Sequence, residues 1–142
     1  MAYEALEELE VFQIAEKVCD RYWEIVQGWN EHARVTVGRQ LVRAADSIGA
    51  NIAESYGRYH FGERIQFLYY ARGSIYETKF WTRRAKARSL ITQETADNAL
   101  RVLDELALKL NTLIRYTKTK KSSTKLAEPP APSYMLHTED PF

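Results

Sequence analysis

The run RQLVRAADSIGANIAESYGR, from Arg39 to Arg58, decides how the rest of the chain is read. Leu41, Ala45, Ile48 and Ile52, preceded by Val37 and joined by Ala44, recur three or four residues apart, which gathers them on one side of an α-helix. Beside them Arg43, Ser47, Asn51, Glu54 and Arg58 fall at spacings of 4, 4, 3 and 4, a continuous polar stripe. Gly57 stands where a helix C-terminus is expected.

The flanking segments repeat the pattern. Upstream, Val11, Ala15, Val18, Tyr22, Ile25 and Trp29 are spaced 4, 3, 4, 3 and 4, predicting a helix over residues 4–28 with Gly28 near its end. A third helix is expected from Phe61 to Arg88. A fourth opens at Thr92, an N-cap with Glu94 in the first turn, and carries Ala96, Ala99, Leu103, Leu106, Leu110, Leu113 and Thr117 on one face. All four prolines lie beyond residue 128, so none breaks these segments. Four helices with short connections predict an all-α fold, an antiparallel up-down-up-down four-helix bundle with a flexible C-terminal tail. The 142 residues make one domain, with the bundle over 1–119 and a basic, then proline-rich, tail over 120–142. Within that tail Tyr134, Met135 and Leu136 form an apolar island able to dock on a partner.

The third helix is unlike the others, because Phe61, Phe67, Tyr69, Tyr70, Tyr76, Phe80 and Trp81 point several ways around its axis. A helix apolar on more than one side needs a second surface, so Tyr69, Tyr76, Phe80 and Trp81 are expected at a subunit interface.

The formal net charge of +1 is a cancellation of blocks. Residues 1–33 carry −6, residues 34–88 carry +7, residues 89–114 carry −2, residues 115–127 carry +5 and the last fifteen −3. An acidic face and a basic face follow, and the basic one fits RNA or DNA. Its candidates are Arg83, Arg84, Lys86 and Arg88, beside Lys79, at the end of the third helix, and Arg115, Lys118, Lys120 and Lys121, beside Lys125, at the end of the fourth. In an antiparallel bundle these two groups lie at opposite ends, and oligomerisation would multiply either into a ring. Contacts to phosphate would depend strongly on salt and little on base sequence.

Several classes are not expected. One cysteine, Cys19, forms no internal disulfide, and its neighbours are those of a packed side chain. None of His32, His60 and His137 has a glutamate three residues before it, so the di-metal signature of four-helix enzymes is lacking. There is no phosphate loop or serine elbow, and neither catalysis nor a cofactor or metal is expected. No apolar run approaches the roughly 18 residues that span a bilayer, and the acidic N-terminus is unlike a signal peptide, so no membrane association and a cytoplasmic location are expected. The polar stripe has two readings. It is structural if Arg43 pairs with Glu54 or Glu77 and Asn51 fixes helix register, and a ligand site if the arginines face a partner.

The run Arg39 to Arg58, followed by FLYYARGSIYET from Phe67 to Thr78, resembles a bacterial four-helix-bundle family. That family includes proteins encoded in intervening sequences of large-subunit ribosomal RNA genes and the accessory variability proteins of diversity-generating retroelements. The matching positions are Gln40, Arg43, Ala44, Ala45, Ser47, Ile48, Asn51, Ile52, Ala53, Glu54 and Gly57, then Phe67, Leu68, Ala71, Gly73, Ser74 and Glu77. The resemblance covers residues 6–117. It implies a ring-like homopentamer with a positively charged surface and, for the retroelement branch, binding to a reverse transcriptase and nucleic acid during mutagenic retrohoming. The intervening-sequence branch implies instead a ribosome-associated or structural protein. Ser55 stands where the family commonly has glycine and His60 where a serine N-cap is usual, so a weakened loop between helices two and three is expected. The aromatic and basic stretch Glu77 to Ile91 points to a nucleic-acid or reverse-transcriptase partner.

Overall fold

The computed structural model describes residues 5–124. A 3₁₀ turn, Leu6–Glu8, precedes α1, Glu10–Gln27. The turn stands where the first four or five residues of a longer helix are expected, because Leu9 is extended and interrupts the rise (φ −67°, ψ 122°). Val11, Ala15, Val18, Tyr22 and Val26 are the buried positions of α1. Ile25 and Trp29 pack against the core only partly.

The second helix, α2, begins earlier than its apolar run indicates. The Asn30 side chain accepts the Ala33 N–H at 3.0 Å, a local N-cap. From there Glu31–Ala33, the π-helical stretch Arg34–Gly38 and Arg39–Gly57 follow without interruption, and we call the three together α2. Gly38 lies where α2 crosses close to α1: a Cβ there would stand 2.6 Å from Val26 Cγ1, so no larger residue fits without displacing that methyl. At the other end α2 stops at Gly57 because Arg58 turns extended, with no left-handed glycine involved.

The third helix, α3, is Phe61–Ala87, and the fourth, α4, is Gln93–Thr124. Between them Ser89 adopts φ 60°, while its N–H bonds Lys86 O at 3.0 Å and the Leu90 N–H bonds Ala85 O at 2.8 Å. This is a Schellman stop with serine in the place that glycine usually takes. Thr92 caps α4 as its sequence indicates, accepting the Thr95 N–H at 3.1 Å. The helix crosses residue 119 and continues to Thr124, so the apolar periodicity fades before the helix does. Lys125, the proline-rich stretch and Tyr134, Met135 and Leu136 lie outside the described residues.

Four long helices thus pack side by side, with no strand among the described residues. Ala15 and Val26 of α1 face Gly49 and Gly38 of α2. Lys121, Asn111 and Asp104 of α4 meet Gly62, Arg72 and Lys79 of α3. Glu10 of α1 reaches Lys109 of α4 at 3.1 Å. The core between them holds Leu41, Ile48, Ile52, Leu68, Ile75, Leu103, Leu106 and Leu110, all without solvent contact or nearly so.

One buried polar link crosses this core. Tyr22 Oη lies 2.6 Å from Thr82 Oγ1, and Thr82 donates its own proton to Thr78 O at 2.7 Å, so the phenol is the donor. Burial raises the Tyr22 pKa to about 12.

Candidate nucleic-acid and self-association surfaces

The outer face of α3 is where the sequence and the packing disagree least. Ile65, Leu68, Ala71, Ile75, Thr78, Thr82 and Ala85 take the inner side. The opposite side is a row at spacings of 4, 3, 4, 3, 4, 3 and 4: Gly62, Gln66, Tyr69, Gly73, Tyr76, Phe80, Arg83 and Ala87. All but Tyr69 are exposed. This is heptad spacing on the solvent side of a helix whose inner seam is already filled. Tyr76 is 65% and Phe80 52% exposed, and nothing lies within 4 Å of a Cβ built on Gly73, so an open notch is followed along the row by two aromatic knobs.

The four aromatics expected at an interface therefore divide. Tyr76 and Phe80 are exposed on the outer row, whereas Tyr69 and Trp81 pack partly against the core. The Trp81 indole N–H is buried with no acceptor among the described residues. Cations cover several outer rings: Arg72 lies 4.7 Å and Lys118 5.2 Å from the Tyr69 centroid, Lys79 5.7 Å from Tyr76 and Arg84 5.9 Å from Phe80.

The basic candidates are on the surface. Arg83, Arg84, Lys86 and Arg88 are exposed at the end of α3. Arg115, Lys118 and Lys121 are exposed near the end of α4, and Lys120 is half-buried with its ammonium 5.5 Å from the Tyr116 ring. The contact of Gly62 with Lys121 and the Lys79–Asp104 ion pair set the two groups at opposite ends of the α3–α4 pair. Lys79, counted with the first group, is tied to α4 by that ion pair and is largely covered.

The polar stripe of α2 does not form the pairs expected of it. Ser47 Oγ donates to Arg43 O at 2.7 Å, and Asn51 Nδ2 donates to Ser47 O at 2.9 Å, so both close on their own helix and Asn51 sets no register between helices. Glu54 pairs with Arg58 one turn away at 2.5 Å. Arg43 is bonded to neither Glu54 nor Glu77, and both Arg43 and Glu77 are exposed. Eleven residues of helix separate Arg43 from Glu54, roughly 16 Å of rise and beyond the reach of either side chain.

Ser55 reverses another expectation. Its buried hydroxyl donates to Arg64 O at 2.8 Å, and Arg64 Nε donates to Arg58 O at 2.6 Å, which stitches the α2–α3 turn together. A glycine at 55 would remove that first bond, so serine strengthens the loop. His60 holds the N-cap position of α3 without a side-chain cap. Cys19 is half-buried and donates to Glu16 O at 3.1 Å. Burial, with Asp20 and Asp46 adding their charge, pushes its thiol up, away from the reactive thiolate. Among the described residues no three His, Cys, Asp or Glu side chains converge as metal ligands, and no helix is long and apolar enough to cross a membrane.

The sequence reading misses a groove between α1 and α2, where Trp23 faces Arg34, Arg39 and Arg43. Trp23 lies off the apolar periodicity of α1, and that is the signal that could have marked it. The alignment of Arg34 depends on a π-helical stretch that residue spacing does not announce.

Fold and surface together define a class: a small all-helical bundle whose cations and aromatics collect on the outside of α3 and at the ends of the helices. Residues 7–112 match the sequence profile of the 23S rRNA-intervening sequence protein, and the chain belongs to that family. A similar solved structure is a protein of unknown function from the S23 ribosomal protein family of Bacteroides thetaiotaomicron VPI-5482. The two share 24% identity and superpose with a TM-score of 0.70 over 74% of this chain and 95% of that one, a likeness of fold. No curated protein matches the chain.

Proposed function

We propose that this protein is a non-catalytic cytoplasmic adaptor, an antiparallel up-down-up-down bundle that assembles into a homo-oligomer of five copies and binds RNA or DNA through its basic surfaces. In the retroelement branch its protein partner would be a reverse transcriptase. The outer row of α3 carries this reading. Heptad spacing, two exposed aromatic knobs and an open notch at Gly73 are what one helix needs to pack against another. The row ends among Arg83, Arg84, Lys86 and Arg88, which an assembly would gather into a zone able to hold phosphates.

Two measurements test the two halves. Tyr76→Ser combined with Phe80→Ser lowers the mass seen by light scattering while the fold remains; a wild-type protein that is already monomeric overturns the assembly. Reversing Arg83, Arg84, Lys86 and Arg88 weakens single-strand binding and flattens its salt dependence by about 0.7 in log–log slope for each phosphate that is no longer neutralised. No binding by the wild type at low salt refutes the second half.

The family match favours a second reading, a ribosome-associated protein whose charges meet the ribosome and not a free strand. Co-sedimentation with ribosomes, without affinity for isolated oligonucleotides, is its signature.

A further inference from the structure

A groove of about 550 Å³ runs between α1 and the first half of α2. Trp23 and Val26 form one wall, and Arg34, Arg39 and Arg43 the other. Trp23 is 57% exposed, so much of its ring is open to solvent. The three arginines are in no ion pair among the described residues, and the acid that lines the groove is Asp46.

Backbone geometry makes these arginines a row. In an α-helix, residues five apart lie well round the cylinder from one another, whereas the i→i+5 bonding of a π-helix sets them one above the other. The π-helical stretch Arg34–Gly38 therefore brings Arg34 into line with Arg39, and Arg43 follows one α-helical turn later. Like charges so placed repel each other, a cost that an anion bound between them removes. Gly38, which admits no Cβ against Val26, holds α1 and with it Trp23 close to this row.

We propose that the groove binds single-stranded nucleic acid, one base stacking on Trp23 while Arg34, Arg39 and Arg43 hold the phosphates on either side. An aromatic face beside a line of cations is the combination that captures an unpaired strand. The inference rests on the nucleic-acid reading above and gives it a place apart from the basic ends of α3 and α4. The π-helical stretch itself packs against α3.

The test is fluorescence anisotropy of a labelled twelve-nucleotide RNA and its DNA counterpart, titrated with full-length protein from low to physiological salt. Trp23→Ala weakens binding about tenfold and leaves the salt slope unchanged, since stacking releases no counterions. Arg34→Gln with Arg39→Gln and Arg43→Gln weakens it further and flattens the slope by about 2. All four positions are exposed, so both variants keep the wild-type melting curve, which circular dichroism checks. If both bind as the wild type does while reversal of Arg83, Arg84, Lys86 and Arg88 abolishes binding, the groove is overturned and the broader reading stands. If the wild type binds neither strand at low salt, both fall. A triple variant of unchanged affinity and smaller assembly mass gives the groove to a neighbouring subunit and also overturns the proposal.

Discussion

α2 and α3 lie side by side and bury similar inner rows, but they close their outer faces differently. On α2 most of the polar stripe answers itself: Ser47 and Asn51 bond back to carbonyls one turn earlier on the same helix, and Glu54 pairs with Arg58, which leaves Arg43 as the member that lines the groove. On α3 the outer row is aromatic and basic, half open to solvent and capped in places by cations. A regular polar stripe is therefore poor evidence of a partner, because helical periodicity lets neighbouring turns satisfy each other. On the aromatic row cations one turn away cover the rings only in part and Tyr76 and Phe80 stay more than half exposed, which makes α3 the better guide to self-association.

The inner rows should be equivalent. Ile48→Ala on α2 and Ile75→Ala on α3 each remove a side chain with no solvent exposure, and each should cost about 2–5 kcal/mol in urea denaturation. A much smaller loss for Ile75 would mean that α3 is held mainly by a second surface, breaking the symmetry of the comparison.

The Tyr22–Thr82 bond sharpens it, because it ties α3 to α1 independently of any partner. Below pH 10, Tyr22→Phe should destabilise by about 1 kcal/mol, since Thr82 keeps its bond to Thr78 O. The folded-state pKa is raised to about 12, so the native protein retains a proton that the unfolded chain releases, and wild-type stability falls as pH rises from 10 towards 12. The full loss approaches about 2–3 kcal/mol. The order of the two proteins should reverse near pH ~11, and parallel curves would count against a buried phenol.

Smaller effects separate cross-helix from local polar bonds. Ser55→Ala removes the bond that ties α2 to Arg64 O across the turn and should cost about 1 kcal/mol. Asn51→Ala and Ser47→Ala remove bonds made within one helix turn and exchange them for a better helix former, so each should stay within about 0.5 kcal/mol of wild type. If Asn51→Ala costs as much as Ser55→Ala, the stripe has a partner that a single chain does not show. Ser89→Gly, which relieves a left-handed serine, should stabilise by about 0.5–1 kcal/mol.

Much of this is legible in the residues. The 3–4 spacing places four helices, and Thr92 announces the start of α4 because an N-cap acts through neighbours three residues away. The exposed aromatics Tyr76 and Phe80 and the surface cations at the ends of α3 and α4 also follow from spacing. What spacing does not give is pairing. Arg43 cannot be matched to an acid from the sequence, because a stripe says which face a residue occupies and not which neighbour lies within reach. Ser55 misleads for the same reason: its acceptor is a carbonyl nine residues on, brought near only when the turn has formed. The Schellman stop is hidden because serine, not glycine, holds its left-handed position.

The sequence by itself determined four helices, their inner faces and the uneven spread of charge, since these depend on periodicity and on contacts within a turn or two. The tertiary structure decided which aromatics stay outside, how closely α1 meets α2 at Gly38, and that Tyr22 reaches Thr82 across sixty residues. It also decided that a π-helical stretch aligns Arg34 with Arg39 and Arg43 opposite Trp23. The physical reason is range: hydrogen bonds along a helix are written in consecutive residues, whereas packing depends on which surfaces the folded chain brings into contact.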